Sequence, residues 1–214
     1  MKLYLPLLAL AVAVGPVAAQ DHAHTDNAVA GGGGLPAGWS ARTDNKGPLT
    51  NVKFETMAPG YHLTTGPALI LYREADRSEG PVHTVAKLHL FPASGHAEGF
   101  GMFIGGQNLK TDNLSYTYFL VRGDGKFLIK QRNGEKVSTL VNWTDSDAIV
   151  KANPDGPVVN ELSVDARRDS VAFMVNGKTV HTAPASQVDA RGVAGLRINH
   201  NLNLHIESVG VHPR

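Results

Sequence analysis

The side chains of this 214-residue chain that could do chemistry fall into a few small sets. His83, Lys87 and His89 alternate along one apolar run, and Asn203, His205 and Glu207 along another. Period-two spacing puts each set on one strand face. If the two faces meet, imidazole, amine and carboxylate line a polar groove; if not, they point to solvent. Tyr116, Tyr118 and Arg122 share a third face, where rings can stack on a sugar or pack a sheet. Trp143 supplies another ring, and Arg197 and His89 supply polar partners for hydroxyls. Asp145 and Asp147 in "NWTDSDA" form a close carboxylate pair. Glycoside hydrolysis needs two flanking carboxylates, but such residues favour turns, and calcium would need further oxygens from other loops.

One metal idea comes from the N-terminus. Cleavage after Ala19 would leave Gln20-Asp21-His22, and a free amine with His22 third can wrap Cu(II) or Ni(II) in a square plane of nitrogens. His24 could add a ligand, whereas cyclisation of Gln20 would remove the amine. No G-x-S-x-G elbow, phosphate-binding loop, H-E-x-x-H or EF-hand pattern occurs, so the chain carries no signature of a resident cofactor. "FIGGQ" at 103–107 is glycine-rich inside a strand pattern, which fits close backbone packing better than phosphate binding. The "RGD" at 122–124 reads as a hairpin tip.

These residues need a scaffold. Lys2 followed by the apolar stretch Leu3–Val14, with Val17-Ala18-Ala19 after it, has the pattern of a secretory signal peptide over 1–19. The stretch is too short, and too interrupted by Pro6, for a membrane span of ~20 residues. The chain has no cysteine, which excludes a disulfide framework and thiol chemistry. Export to the periplasm or outside the cell is expected, with no membrane insertion. Residues 20–38 contain four consecutive glycines and few large apolar residues, and read as a disordered leader. A single domain is expected over 39–214, as a monomer. The formal net charge of +1 falls to neutral once Lys2 leaves, so nothing points to nucleic acid or an acidic membrane surface. Neutral partners, or partners recognised by shape and hydrogen bonds, are expected.

The domain reads as all-β. Short β-branched and aromatic runs at 83–91, 100–106, 116–122, 126–132, 136–143, 160–166, 170–176, 178–183, 193–199 and 202–211 are separated by turn residues, with weaker candidates at 39–43, 52–57, 61–64 and 68–72. Asn176-Gly177 fits the tight hairpin turn that needs positive φ at both central residues. Asn133-Gly134 and Gly123-Asp124-Gly125 mark further reversals. More than ten strands without helices predict two stacked antiparallel sheets or a closed barrel.

The order "GFGMFIGG", "YTYFLVRGDGKFLIKQRNGEKVSTLVNW", "NELSVDARRDSVAFMVNGKTV", "RGVAGLRIN", "IESVGV" resembles the concanavalin A-like lectin/glucanase jelly-roll superfamily, near its laminin G-like and 3-keto-disaccharide hydrolase domain families. It carries N-x-L-x-V at Asn160, Leu162 and Val164, N-G-K at Asn176–Lys178, and G-x-x-G-L at Gly192, Gly195 and Leu196. The resemblance spans residues 82–211 and implies a two-sheet antiparallel sandwich with a concave sheet that in many members binds or processes carbohydrate. Its catalytic glucanases place carboxylates as E-x-D-x-E or E-x-D-x-x-E on one strand; that motif is expected to be absent here, and no catalytic residue is carried over. The expectation is an exported, non-catalytic module binding carbohydrate or a cell-surface partner through Tyr116, Tyr118, Arg122, Trp143, His89 and Arg197. A sugar-active hydrolase or lyase, and a structural or adhesive domain, stay open beside it.

Overall fold

Alternation of apolar and polar residues is the dominant pattern of the chain, and its consequence is two facing sheets. A computed structural model describes residues 25–32, 34–92 and 96–214. The front sheet runs, in spatial order, β1 (Ser40–Thr43), β4 (Leu69–Ser78), β13 (Gly192–Ile198), β6 (Gly99–Gln107), β7 (Ser115–Arg122), β8 (Lys126–Asn133) and β9 (Lys136–Asp145). The back sheet runs β12 (Lys178–Pro184), β11 (Ser170–Val175), β10 (Val158–Ala166), β5 (Val82–Leu90), β14 (Leu202–Pro213), β3 (Tyr61–Thr65) and β2 (Val52–Thr56). Every strand pairing is antiparallel. Each strand segment expected from the sequence is a strand. β4 runs on through Arg73–Ser78, a charged stretch without apolar alternation that gave no strand signal.

The core lies between the sheets. Val82, Thr84, Ala86, Leu88 and Leu90 of β5 and Val171, Phe173 and Val175 of β11 face Phe100, Met102, Phe119, Val121 and Ile129 of the front sheet, all buried. The rings of Phe119 and Phe173 meet across the layers at 5.5 Å, edge to face. A Phe173→Ala change would cost about 3–5 kcal/mol as a large cavity.

Turn chemistry sets the registers. Val175 pairs with Lys178, leaving Asn176 (φ 51°) and Gly177 (φ 77°) as the two left-handed turn residues. Asn176 also donates through Nδ2 to the Ala148 carbonyl at 2.8 Å and to Asn160 Oδ1 at 2.9 Å. Asn160, fully buried, in turn bonds both backbone groups of Val150. The hairpin tip thereby fastens the segment after β9. The second reversal turns one residue later than expected: Asn133 pairs with Lys136, and only Gly134 of the two central residues has positive φ (61°). That is the arrangement with glycine at the first central position.

The signal segment and His22 lie outside the described residues. Of the leader, residues 25–32 and 34–38 form no helix or strand, as their composition predicts, yet part of them is docked. The Asn27 amide donates to Asn201 Oδ1 at 2.8 Å, Asn201 Nδ2 donates to the Thr25 carbonyl, and Asp26 Oδ1 lies 2.6 Å from His200 Nδ1. Polar bonds hold residues 25–27, where hydrophobicity gave no sign of docking, and further along Leu35 packs against the core.

Candidate functional site

β7 places Phe119 and Val121 in the core, so Tyr116, Tyr118, Leu120 and Arg122 point outward. Register extends this outer face across the front sheet. Tyr118 is opposite Phe103 and Lys130, Tyr116 opposite Arg132, Leu120 opposite Gly101 and Leu128, and Arg122 opposite Gly99 and Lys126. Arg197 lies next to Gly101 on β13. Five of the six residues picked for sugar contact, all but His89, therefore belong to one face or its rim.

Half of that face is roofed. Ile70, Tyr72, Phe103, Tyr116 and Val193 form a second apolar cluster with Leu109 and Leu114 from the loop after β6. Tyr116 is 4% exposed and packs on Phe103 at 5.1 Å, so its ring serves packing. The segment after β1 also folds over the face. Asp44 Oδ1 and Oδ2 each accept a 2.6 Å bond from the two terminal nitrogens of Arg197, and Arg132 Nη1 reaches Oδ1 at 3.2 Å. Burial alone would raise the Asp44 carboxyl, but the Arg197 and Arg132 guanidiniums outweigh it and hold it below its ordinary value. Burial likewise opposes the Arg197 charge, and Asp44 more than restores it. Arg42 ties the roof down by donating to the Leu109 and Thr111 carbonyls and to Asp112.

The other half of the face ends at Trp143. The Arg122 guanidinium lies over the Trp143 ring at 4.4 Å and is itself held in a fork by Asp124 at 2.9 and 2.6 Å. The "RGD" tip is thus an internal clamp that fixes an arginine–tryptophan stack. A Cβ at Gly99 would stand 3.0 Å from both Leu120 and Trp143, so glycine there lets the indole settle onto the sheet. Tyr118 is half-buried between the two halves, 5.9 Å from Arg197, and desolvation pushes its hydroxyl pKa up to about 12. It is a neutral donor at any physiological pH. Lys130 and Arg132, alternating with Leu128 along "FLIKQR", belong to this face and were legible as such. Asp44, brought from the far edge of the sheet, carried no local signal.

His89 does not converge with these residues. It points outward from β5 on the back sheet, on the opposite side of the sandwich, because its neighbours Leu88 and Leu90 fill the core. There the two polar sets named from spacing do meet. His62, His205 and His89 are directly opposed on β3, β14 and β5. Glu207, in a bulge of β14, binds His89 Nε2 at 2.7 Å and Lys87 Nζ at 2.9 Å. Hydrogen bonds from Lys87 and then His89 hold the Glu207 carboxyl below its ordinary value. Among the described residues no group of three or more metal-ligating side chains is placed to hold a metal ion.

The expectation that the paired-carboxylate spacing is absent is corrected by the sequence itself, which has E-x-D-x-x-E at Glu74, Asp76 and Glu79. It falls where β4 leaves its register with β13. Asp76 is bound by Arg73 at 2.7 and 3.1 Å, and Arg73 lies over Trp39 and donates to Val209 of the back sheet. Glu74 instead faces Lys110, 3.6 Å away in the loop that roofs the front sheet. Arg77 lies 3.9 Å from both Glu74 and Glu79, so all three carboxylates of the spacing are engaged by basic side chains, and Asp76 is held apart from the two glutamates by Arg73.

No known protein family matches the sequence, and no curated protein matches it either. Solved structures do. Carbohydrate-binding module CBM66 from Bacillus subtilis superposes with a TM-score of 0.59 at 12% identity, over 82% of this chain and 95% of that one. A family GH16 enzyme of the mixed-linkage glucan system of Bacteroides ovatus, in complex with a product, gives 0.57 at 10% identity, over 81% and 94%. The endo-β-1,3-glucanase of Pyrococcus furiosus gives 0.55 at 12%, over 86% and 90%. The fold is the concanavalin A-like jelly roll. Within this jelly roll the outer face of the front sheet combines aromatic and cationic groups, with glycine beneath Trp143. The back face carries an imidazole–carboxylate–amine row.

Proposed function

We propose that this jelly roll is an exported, non-catalytic module that binds carbohydrate on the outer face of its front sheet. The observation that carries the reading is the unroofed half of that face. There the clamped Arg122–Trp143 stack stands beside Tyr118 over Gly99 and Gly101. A sugar ring is recognised by an apolar face that stacks and by hydroxyls that need oriented donors and acceptors, and this half supplies both. Asp44, over the roofed half, is committed to two arginines and held ionised, and at the Trp143 end Asp124 and Asp145 are paired with Arg122 and Lys126. The likeness in fold to a carbohydrate-binding module agrees with the reading without deciding it. The signal pattern supports export, and the mature protein would begin at Gln20 as a monomer; N-terminal sequencing and sedimentation of the exported protein check both.

Binding should be weak, near millimolar, about 4 kcal/mol per site. Trp143 is one of two tryptophans in the chain, so a Trp39→Phe variant turns its fluorescence into a direct reporter. Titration with oligosaccharides should shift that emission, and no shift with any saccharide at millimolar concentration would remove the reading.

A second reading, an enzyme acting on sugars, rests on the Glu207–His89 contact of 2.7 Å, an acid–base pair on the back face. Release of new reducing ends from oxidised or ordinary disaccharides, lost in Glu207→Gln, would establish it in place of the first.

A further inference from the structure

The net charge of the chain is near zero, but the front face is not neutral everywhere. At its Trp143 end, charges balance: Arg122 is paired with Asp124, Lys126 with Asp145 at 2.7 Å, and Glu98 adds a further negative charge that Arg122 feels. Around Tyr118 they do not. Arg197 and Arg132 share one carboxylate, Asp44, and the directly opposed Lys130 has no ion-pair partner among the described residues. Three cations stand against one anion. Arg197, 9% exposed at its side chain, also keeps Nε buried with no hydrogen-bond acceptor. A lysine of intermediate burial without an ion-pair partner among the described residues and an unsatisfied buried guanidinium nitrogen flank the tyrosine ring, and the partner that would complete this set is an anion.

We propose that the ligand is an anionic saccharide, bound with its acidic group against Lys130 beside Tyr118 and the neighbouring ring on Trp143. This rests on the carbohydrate reading above and adds the ligand's charge to it. The spacing suits such a ligand. Lys130 lies two residues along β8 from Leu128, ~6.6 Å of strand, comparable to one sugar residue. Tyr118 remains protonated and donates to the acidic group or to a ring hydroxyl. Asp44 keeps Arg132 and Arg197 in place from the roofed side, so a single acidic group enters a field already oriented for it. Long-range steering is small for a chain of this net charge, and the preference should reside in affinity at the site.

The test uses the full mature protein and two series of probes: uronate oligosaccharides with their carboxyl-reduced counterparts, and sulfated oligosaccharides with their desulfated counterparts. Affinity is read by calorimetry and by Trp143 emission. In at least one series the acidic member should bind at least tenfold tighter than its neutral partner at low salt, with the gap narrowing at high salt; which series responds tells carboxylate from sulfate. Lys130→Met should close the gap by weakening the acidic member far more than its neutral partner, and Lys130→Arg should keep it. Equal affinity of acidic and neutral members in both series overturns the anionic ligand but leaves the carbohydrate reading standing. Failure of every member to bind removes the carbohydrate reading and this inference with it.

Discussion

The two outer faces of the sandwich are built on the same number of strands and use opposite solutions for a sheet surface turned away from the core. On the back sheet, strict alternation leaves a polar outer face, where His62, His205, His89, Lys87 and Glu207 interact with one another across strands. On the front sheet, both faces of the central strands are apolar or aromatic. Loop 108–114 and the segment after β1 cover half of the outer one and form a second core, sealed by the Asp44–Arg197 pair. The difference teaches what leaves a binding surface. A roof that stops halfway exposes a bounded edge with oriented charges, whereas the back face engages its carboxylate Glu207 with Lys87 and His89 but leaves Nδ1 of His62, His83 and His205 without a hydrogen-bond partner among the described residues.

The contrast is broken most severely at its ionic seal. Asp44→Ala leaves Arg197 buried and unpaired, and should cost ~3 kcal/mol, the low end for a broken buried pair because part of Asp44 meets solvent. Urea unfolding measures it. Asp44→Leu combined with Arg197→Met should recover most of the loss; equal destabilisation by single and double changes would mean that the pair is not the seal. Next comes the open edge. Trp143→Ala should weaken saccharide binding by about tenfold, ~1.4 kcal/mol, and unchanged affinity would place the ligand elsewhere.

Acid should separate the faces by pH. Burial first, then the neighbouring His89 and His62, depresses the His205 pKa below its ordinary 6.5. The unfolded chain then binds the proton more readily, so this group's stability is present above pH 6.5 and falls as pH drops through that value toward its folded pKa. The Asp44 carboxyl, depressed below 3.8, withdraws its contribution only as pH falls below that value. Urea midpoints between pH 7 and 5 should decline in the native protein and flatten in His205→Asn, and the front-face loss should begin near pH 4. The smallest effect is expected at Glu207→Gln. This carboxylate is half-buried and its two ion pairs meet solvent, so removing it should move the urea midpoint little at neutral pH; a clear drop would show that the back-face row is structural after all.

Much of this was legible in the chain, for identifiable reasons. Asn176-Gly177 is a turn in any context that offers two antiparallel strands, because few residue pairs tolerate positive φ twice. The back-face sets at 83–89 and 203–207 could be drawn from spacing alone, since period-two geometry is local. The extension of β4 through Arg73–Ser78 was not, because neither of its faces is buried by a regular neighbour. His89 was grouped with the tyrosines on chemistry, and strand parity says which face of its own sheet it occupies but not which of two sheets it is in.

By itself, then, the sequence determined the strands, their turns and which residues share a face, because these follow from the two-residue repeat of an extended backbone and from the few residues that permit a tight reversal. Only the tertiary structure decided which faces meet. It buried Tyr116 under loop 108–114, brought Asp44 across the sheet to Arg197, 153 residues away, and left Lys130 without an ion-pair partner among the described residues. Those outcomes depend on contacts between distant segments whose partners no local pattern specifies.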